Sequence, residues 1–243
     1  MSIGERGGSS CKGHLIIMEK KRFYSEQGYS TLQRGVDFRD VGLDLIKFAG
    51  EDTDLIREGK DHGAQKVNKT YLQAHFPVYA EFLQSSQIVA RCEEIVNNRL
   101  HPYNLMHLIS DSQTKAMPWH RDSYIHRGMQ IGPKPATVKL AIYITATDKS
   151  SGATGFLHGS FRRSINNRYL DYLVTLLRSH KAVYPTHKPG DAAIWDGEVM
   201  HHRPKNGFQY REAVIFNLSR SYDFVQKHLE VEGSLLREYT DRL

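Results

Sequence analysis

The sequence predicts a mainly β domain, a sandwich or barrel of short strands with helices buttressing one face. Three observations carry that reading. Short apolar runs recur from Tyr103 onward, and one of them alternates with period two. Gly, Pro, Asn and Asp clusters punctuate these runs. Helical spacing is confined to the first hundred residues, one internal insertion and the C-terminal end.

The elements follow in order. Residues 1–13 are Gly/Ser-rich and are expected to form a flexible tail. Residues 14–243 are expected to form one domain: helical to about 100, a β core over about 103–220, and a helical C-terminal segment. Leu72, Phe76, Tyr79 and Leu83 recur at helical spacing, with Pro77 as a start or kink. Ser86 suits the N-cap of a helix running to about Leu100, with Ile88, Cys92, Ile95 and Val96 as its apolar stripe. Leu105–Ser110 is short and strand-like, and Trp119–Ser123 is expected to be extended. In Val138–Thr145, the apolar residues Val138, Leu140, Ile142 and Ile144 alternate with a mixed face. Asp148–Gly152 reads as a turn, and Gly155–Ser160 as a short strand closed by a tight turn. Ala192–Trp195 and Ala213–Leu218 complete the strands. Between about Asn166 and His180, Tyr169, Leu170, Leu173, Leu176 and Leu177 form the apolar face of a helix. Tyr222 to Leu243 also looks helical.

Composition narrows the function. The chain has 243 residues, 40% of them hydrophobic and 25% charged, as an ordinary globular domain has. The longest apolar run, Leu15–Met18, stops at Glu19-Lys20-Lys21-Arg22, so no transmembrane segment is expected. The first eight residues lack the apolar segment of a secretory signal. Cys11 and Cys92 are the only cysteines, which excludes CxxC metal sites and argues against a disulfide framework. A cytoplasmic location is the resulting expectation. The net charge of +6 would attract an anionic small molecule. The cations are scattered, with no dense basic run, so nucleic acid is not an expected partner. The oligomeric state is left open.

The chemistry lies in two segments. His120-Arg121-Asp122 is followed about 80 residues later by Gly190-Asp191 and then His201. Two imidazoles and one carboxylate can occupy one face of an octahedral iron(II), leaving the other face open. In an extended segment His120 and Asp122 point the same way, because side chains alternate. His201 must then arrive on a strand folded back against them. Arg211, ten residues beyond His201, offers a planar fork for a dicarboxylate co-substrate. Zinc on the same residues, activating water for hydrolysis, is the rival reading. A non-catalytic binding protein that keeps its metal is another. With 13 histidines in the chain, chance His-x-Asp pairs also arise.

The motif order resembles the phytanoyl-CoA dioxygenase family of iron(II)/2-oxoglutarate oxygenases. The resemblance runs from Phe23-Tyr-Ser-Glu-Gln-Gly28-Tyr29 through His120-x-Asp122 and Leu140–Thr145. It continues in Ser151-Gly152-Ala-Thr-Gly-Phe-Leu-His158-Gly159-Ser160 and ends with Gly190-Asp191, His201, Asn206 and Arg211. It implies a double-stranded β-helix, the jelly-roll core of cupin-like proteins. It also implies Fe(II), 2-oxoglutarate and O2 as the cofactor set, with succinate and carbon dioxide as co-products. His120, Asp122 and His201 align with the metal ligands, and Arg211 with the residue that grips the distal carboxylate of 2-oxoglutarate. Family spacing favours His201 over the adjacent His202. His107 is a candidate contact for the other end of the co-substrate. Trp119, Tyr124 and His126 are candidates to line a substrate cavity, and His126–Pro135 reads as a loop placed to act as a lid. Three departures stand out: His158 where the family usually has Pro, Phe161 where it often has His, and Arg203 in place of a frequent hydroxyl residue.

Overall fold

The computed structural model describes residues 9–32, 87–112, 114–122, 137–163, 167–207 and 210–225. Among the described residues, nine strands form two sheets. The larger contains β1 (Tyr29–Leu32), β7 (Ala192–Asp196), β4 (Thr137–Tyr143), β9 (Arg211–Ser219) and β2 (His101–Ser110), in that spatial order. The smaller runs β3 (Met117–His120), β8 (His201–Arg203), β5 (Gly155–Leu157) and β6 (Ala182–Val183). Every ladder is antiparallel. This two-sheet arrangement is a jelly roll and not a closed barrel. α1 (Ser9–Gln27) and α2 (Ile88–Val96) pack on the larger sheet, and α3 (Arg168–Arg178) lies beside β3.

The two faces of β4 explain the layering. Val138, Leu140 and Ile142 join Ile194, Val214 and Phe216 in a cluster closed by Tyr24 of α1 and Ile88, Cys92 and Ile95 of α2. Burying each such aliphatic side chain contributes about 1.5–3 kcal/mol. The opposite face carries Lys139, Ala141 and Tyr143. Ala141 and Tyr143 meet Trp195, Ala213, Ile215 and, from the smaller sheet, Phe156. The mixed face of the sequence pattern is therefore the interior of the jelly roll.

Two departures from the family pattern seat the N-terminal segment. The Tyr29 hydroxyl hydrogen-bonds His158 Nε2 at 2.7 Å and its ring stacks on Phe156 at 4.3 Å, so His158 docks β1. Gly28 turns from α1 into β1 with φ +81°, and a Cβ there would collide with Val199 and Phe161. Phe161 thus fills the wall behind that turn.

Several elements differ from expectation. α1 begins at Ser9, inside the stretch read as tail. α2 ends at Val96, four residues early, because Asn97 takes a left-handed conformation (φ 57°) and its N–H caps the Glu93 carbonyl. The extended segment at Trp119 ends at His120, and Asp122 sits in the following turn. The helix suggested by Leu72–Leu83, the Ser86 cap, Tyr124, the His126–Pro135 loop and the C-terminal stretch beyond Val225 lie outside the described residues.

α3 forms where the spacing places a helix, and the structure adds a direction that the spacing did not give. Its apolar stripe faces outward: Tyr169 and Leu177 are each 72% exposed, and Leu170, Leu173 and Leu176 are exposed too. The inward positions belong to Asp171 and Thr175. The reason is Arg121, buried between the two metal-motif residues. Its guanidinium forms a two-pronged ion pair with Asp171 and also donates to the carbonyls of Ser160 and Glu198. A buried cation needs a buried anion, and that requirement outweighs the burial of leucines. Asp171→Asn keeps the shape but removes the charge. It should lower unfolding stability by about 1.5–3 kcal/mol, read from denaturant midpoints, because the bonds lost are charge-assisted.

Candidate active site

His120 ends β3, and β3 pairs with β8 so that His120 lies directly opposite His201. This one register delivers the distant histidine. The two rings stand 4.3 Å apart, centre to centre. Asp122 completes the group from the turn after β3, where its N–H donates to the Gly197 carbonyl at 2.9 Å. Gly197 is locked in turn: its own N–H donates to Thr137 O at 2.9 Å, and Thr137 leaves no room for a Cβ. His120 Nε2 lies 3.8 Å from Asp122 Oδ1, and His201 Nε2 lies 3.6 Å from Asp122 Oδ2. One ligand atom from each of the three residues falls within 4.8 Å of the others.

The donor chemistry fits a divalent metal. His120 Nδ1 is 2.8 Å from Pro118 O, and His201 Nδ1 is 2.8 Å from Val199 O. Each contact requires the proton on Nδ1, which leaves the Nε2 lone pair facing Asp122. Burial pushes the His201 pKa down to about 3, although Asp122 pulls the other way, so its imidazole is neutral at pH 7. Burial opposes ionisation of Asp122, but Lys139, with His201 and His120, more than offsets it and holds the carboxyl well below the usual range. Asp122 Oδ2 is buried and accepts no hydrogen bond among the described residues. A buried anionic oxygen without a donor is costly unless a cation meets it.

A cavity of about 150 Å³ opens beside these residues, walled by His120, Lys139, Trp195, His201, Arg203 and Arg211 among others. A cavity of this size can hold a small molecule of roughly the bulk of benzene. Arg211, the first residue of β9, is 1% exposed. Its guanidinium lies over the Tyr143 ring, 5.6 Å from the centroid. Its Nε and Nη1 donate to no group among the described residues. Burial pushes its pKa down, as it does for Arg203, which falls to about 10 with further repulsion from Arg211. Arg203 shares the His201 side of β8 by strand alternation, and its Nη2 donates to Lys115 O at 2.8 Å.

His202 points away from Asp122 by strand alternation, although it still lines part of the cavity. It stacks on Trp119 at 3.9 Å, and Tyr184 OH meets its Nε2 at 2.7 Å. Trp119 is therefore tied to His202 and away from the triad. His107 lies in β2 opposite Val214, and its side chain is outside the described residues. Lys139 is the site residue that sequence reasoning missed. The clue was available: one lysine in an otherwise apolar central strand, on the mixed face with Ala141 and Tyr143.

The sequence model of the phytanoyl-CoA dioxygenase (PhyH) family matches residues 23–206, three quarters of the chain. The chain belongs to the phytanoyl-CoA dioxygenase family. By family it is thus a 2-oxoglutarate-dependent oxygenase. Among solved structures it is similar to EctD from S. alaskensis, with 17% identity and a TM-score of 0.62 over 83% of this chain and 76% of that one. HygX from Streptomyces hygroscopicus, solved with nickel and 2-oxoglutarate bound, gives 15% identity and a TM-score of 0.63 over 84% of this chain and 87% of that one. SnoK, a non-heme α-ketoglutarate-dependent carbocyclase from nogalamycin biosynthesis, gives 17% and 0.61 over 83% of each chain. At these identities the likeness concerns the fold. No curated protein matches the sequence.

Proposed function

We propose that this PhyH-family oxygenase hydroxylates an unactivated C–H bond of a small, anionic metabolite. The balance is substrate, 2-oxoglutarate and O2 giving hydroxylated substrate, succinate and carbon dioxide. In this reading His120, Asp122 and His201 hold Fe(II), which with O2 and 2-oxoglutarate supplies the oxidising chemistry. Arg211 holds the distal carboxylate, and Arg203 adds positive charge to the same wall. His107, on the strand paired with that of Arg211, is assigned to the other end of the co-substrate. Residues 14–243 act as one domain, in the cytoplasm, the compartment that suits a chain with two cysteines. No described helix is long and apolar enough to cross a membrane.

One observation carries the reading: the buried Arg211 guanidinium, with two donors unmet among the described residues, in the same cavity as the triad residues His120 and His201. Activating water on zinc does not itself call for such a cation, whereas holding a dicarboxylate co-substrate does. An unpaired buried charge is costly, and a carboxylate entering the cavity would offset that cost. The cation excess of Lys139, Arg203 and Arg211 over Asp122 supports an anionic substrate. Asp122 supports oxygen insertion over halogenation, since its carboxylate fills the position a chloride would need.

The test is a screen for metabolites that accelerate succinate formation with iron under labelled dioxygen. The expected product is heavier than its substrate by one labelled oxygen atom. A chlorinated main product in excess chloride would overturn hydroxylation. A product lighter by two hydrogens would move the enzyme to desaturation or ring closure. Metal-dependent hydrolysis without succinate would favour the zinc reading.

A further inference from the structure

Lys139 lies on β4, the central strand of the larger sheet, flanked by β7 and β9. Its side chain crosses the interior to Asp122, with Nζ 2.7 Å from Oδ1, and is only 17% exposed. The two oxygens of Asp122 thus differ. Oδ1 is taken by an ammonium, while Oδ2 is buried, accepts nothing among the described residues and lies 3.6 Å from His201 Nε2. A carboxylate free at both oxygens can bind a metal through one or both. A charge-assisted bond of this length takes one oxygen's outward lone pairs and fixes the rotation of the group.

Resting on the ligand set proposed above, we propose that Lys139 is a positioning residue that keeps Asp122 a one-oxygen ligand through Oδ2. The consequence is a count of open positions. Two imidazoles and one carboxylate oxygen leave three of six positions on the metal. A co-substrate that bound the metal through two oxygens would take two of these, leaving one for a third molecule. If Asp122 closed on the metal with both oxygens, that last position would be lost. Lys139 thus protects the position that distinguishes a reactive complex from a saturated one. Partners that orient metal ligands in this way commonly change metal affinity or activity by about 10–100-fold.

The test uses Mn(II)-loaded protein and water-proton relaxation, which senses an exchangeable water on the metal. Wild type should keep a relaxation enhancement when saturated with 2-oxoglutarate. Lys139→Met, similar in length but unable to donate, should lose that residual enhancement, and Lys139→Arg should restore it. Undiminished enhancement in a folded Lys139→Met protein would overturn the inference. So would a raised Kd for 2-oxoglutarate with unchanged relaxation, because Lys139 would then serve the co-substrate directly. If Lys139→Met does not fold, a crystal structure of the wild-type Mn(II)–2-oxoglutarate complex decides. Oδ2 alone should contact the metal with Lys139 on Oδ1; a two-oxygen contact would overturn the inference. Failure of wild type to bind Mn(II) at all is a different result, and it would sink the ligand assignment.

Discussion

Alanine at His120, Asp122 or His201 should each abolish iron-dependent succinate formation while the protein stays folded. Each change removes one of three protein donors from the proposed metal. The loss should exceed the roughly 10–100-fold that follows from disturbing a residue that only orients a ligand. The fold should survive because the triad sits at the end of β3, in a turn and at the start of β8, beside the main apolar clusters and outside them. Asp122→Ala carries an added cost, since it leaves Lys139 without its anion 2.7 Å away. Its thermal midpoint should therefore fall further than those of the two histidine variants. His202→Ala is the control. It loses contacts to Trp119 and Tyr184 but no proposed donor, and should retain most activity. A dead His202→Ala beside an active His201→Ala would reverse the assignment. Metal titration and circular dichroism on the same samples separate loss of iron from loss of fold.

Arg211→Ala should weaken 2-oxoglutarate binding far more than metal binding. Truncating one partner of a buried charge pair costs about 2–5 kcal/mol, which is on the order of 30- to several-thousand-fold in affinity. The sign of the stability change gives a second, independent reading. A structural arginine would destabilise the fold when removed. Arg211 is buried, and two of its donors are unmet among the described residues. Arg211→Met should therefore leave the ligand-free protein as stable as wild type, or more so, because an uncompensated charge is taken out of the interior. Adding 2-oxoglutarate with a metal should raise the melting temperature of wild type and much less that of the variant. An unchanged affinity for 2-oxoglutarate, or a marked loss of stability without ligand, would remove Arg211 from the co-substrate site.

Much of the β core was legible because its cause is local. The alternation at Val138, Leu140 and Ile142 reports a strand with one greasy face wherever it lies in the fold. The residues Ala192–Trp195 and Ala213–Leu218, apolar without alternation, became strands buried on both sides, as β9 is along its whole length. The helix at Ile88 was equally plain from its stripe. Local pattern gave less at the ends of elements. The left-handed turn at Asn97 ended α2, and the strand before Asp122 stopped at His120.

The site shows where sequence reasoning stops. The residue types and spacing of His120, Asp122, His201 and Arg211 singled out a candidate metal site, because metal ligation demands particular donors in a particular order. Which donors met was decided by the β3–β8 register, a pairing across about 80 residues. The same is true of charge. Amphipathic spacing gave α3 an apolar stripe but no direction for it; the buried Arg121 turned Asp171 inward and the leucines outward. Lys139 read as one residue on a mixed strand face until the two sheets closed and brought it to Asp122. Periodicity is a property of neighbours in sequence, and the chain carries it by itself. The pairing of a buried ion is a property of neighbours in space, and only the folded jelly roll selects its partner.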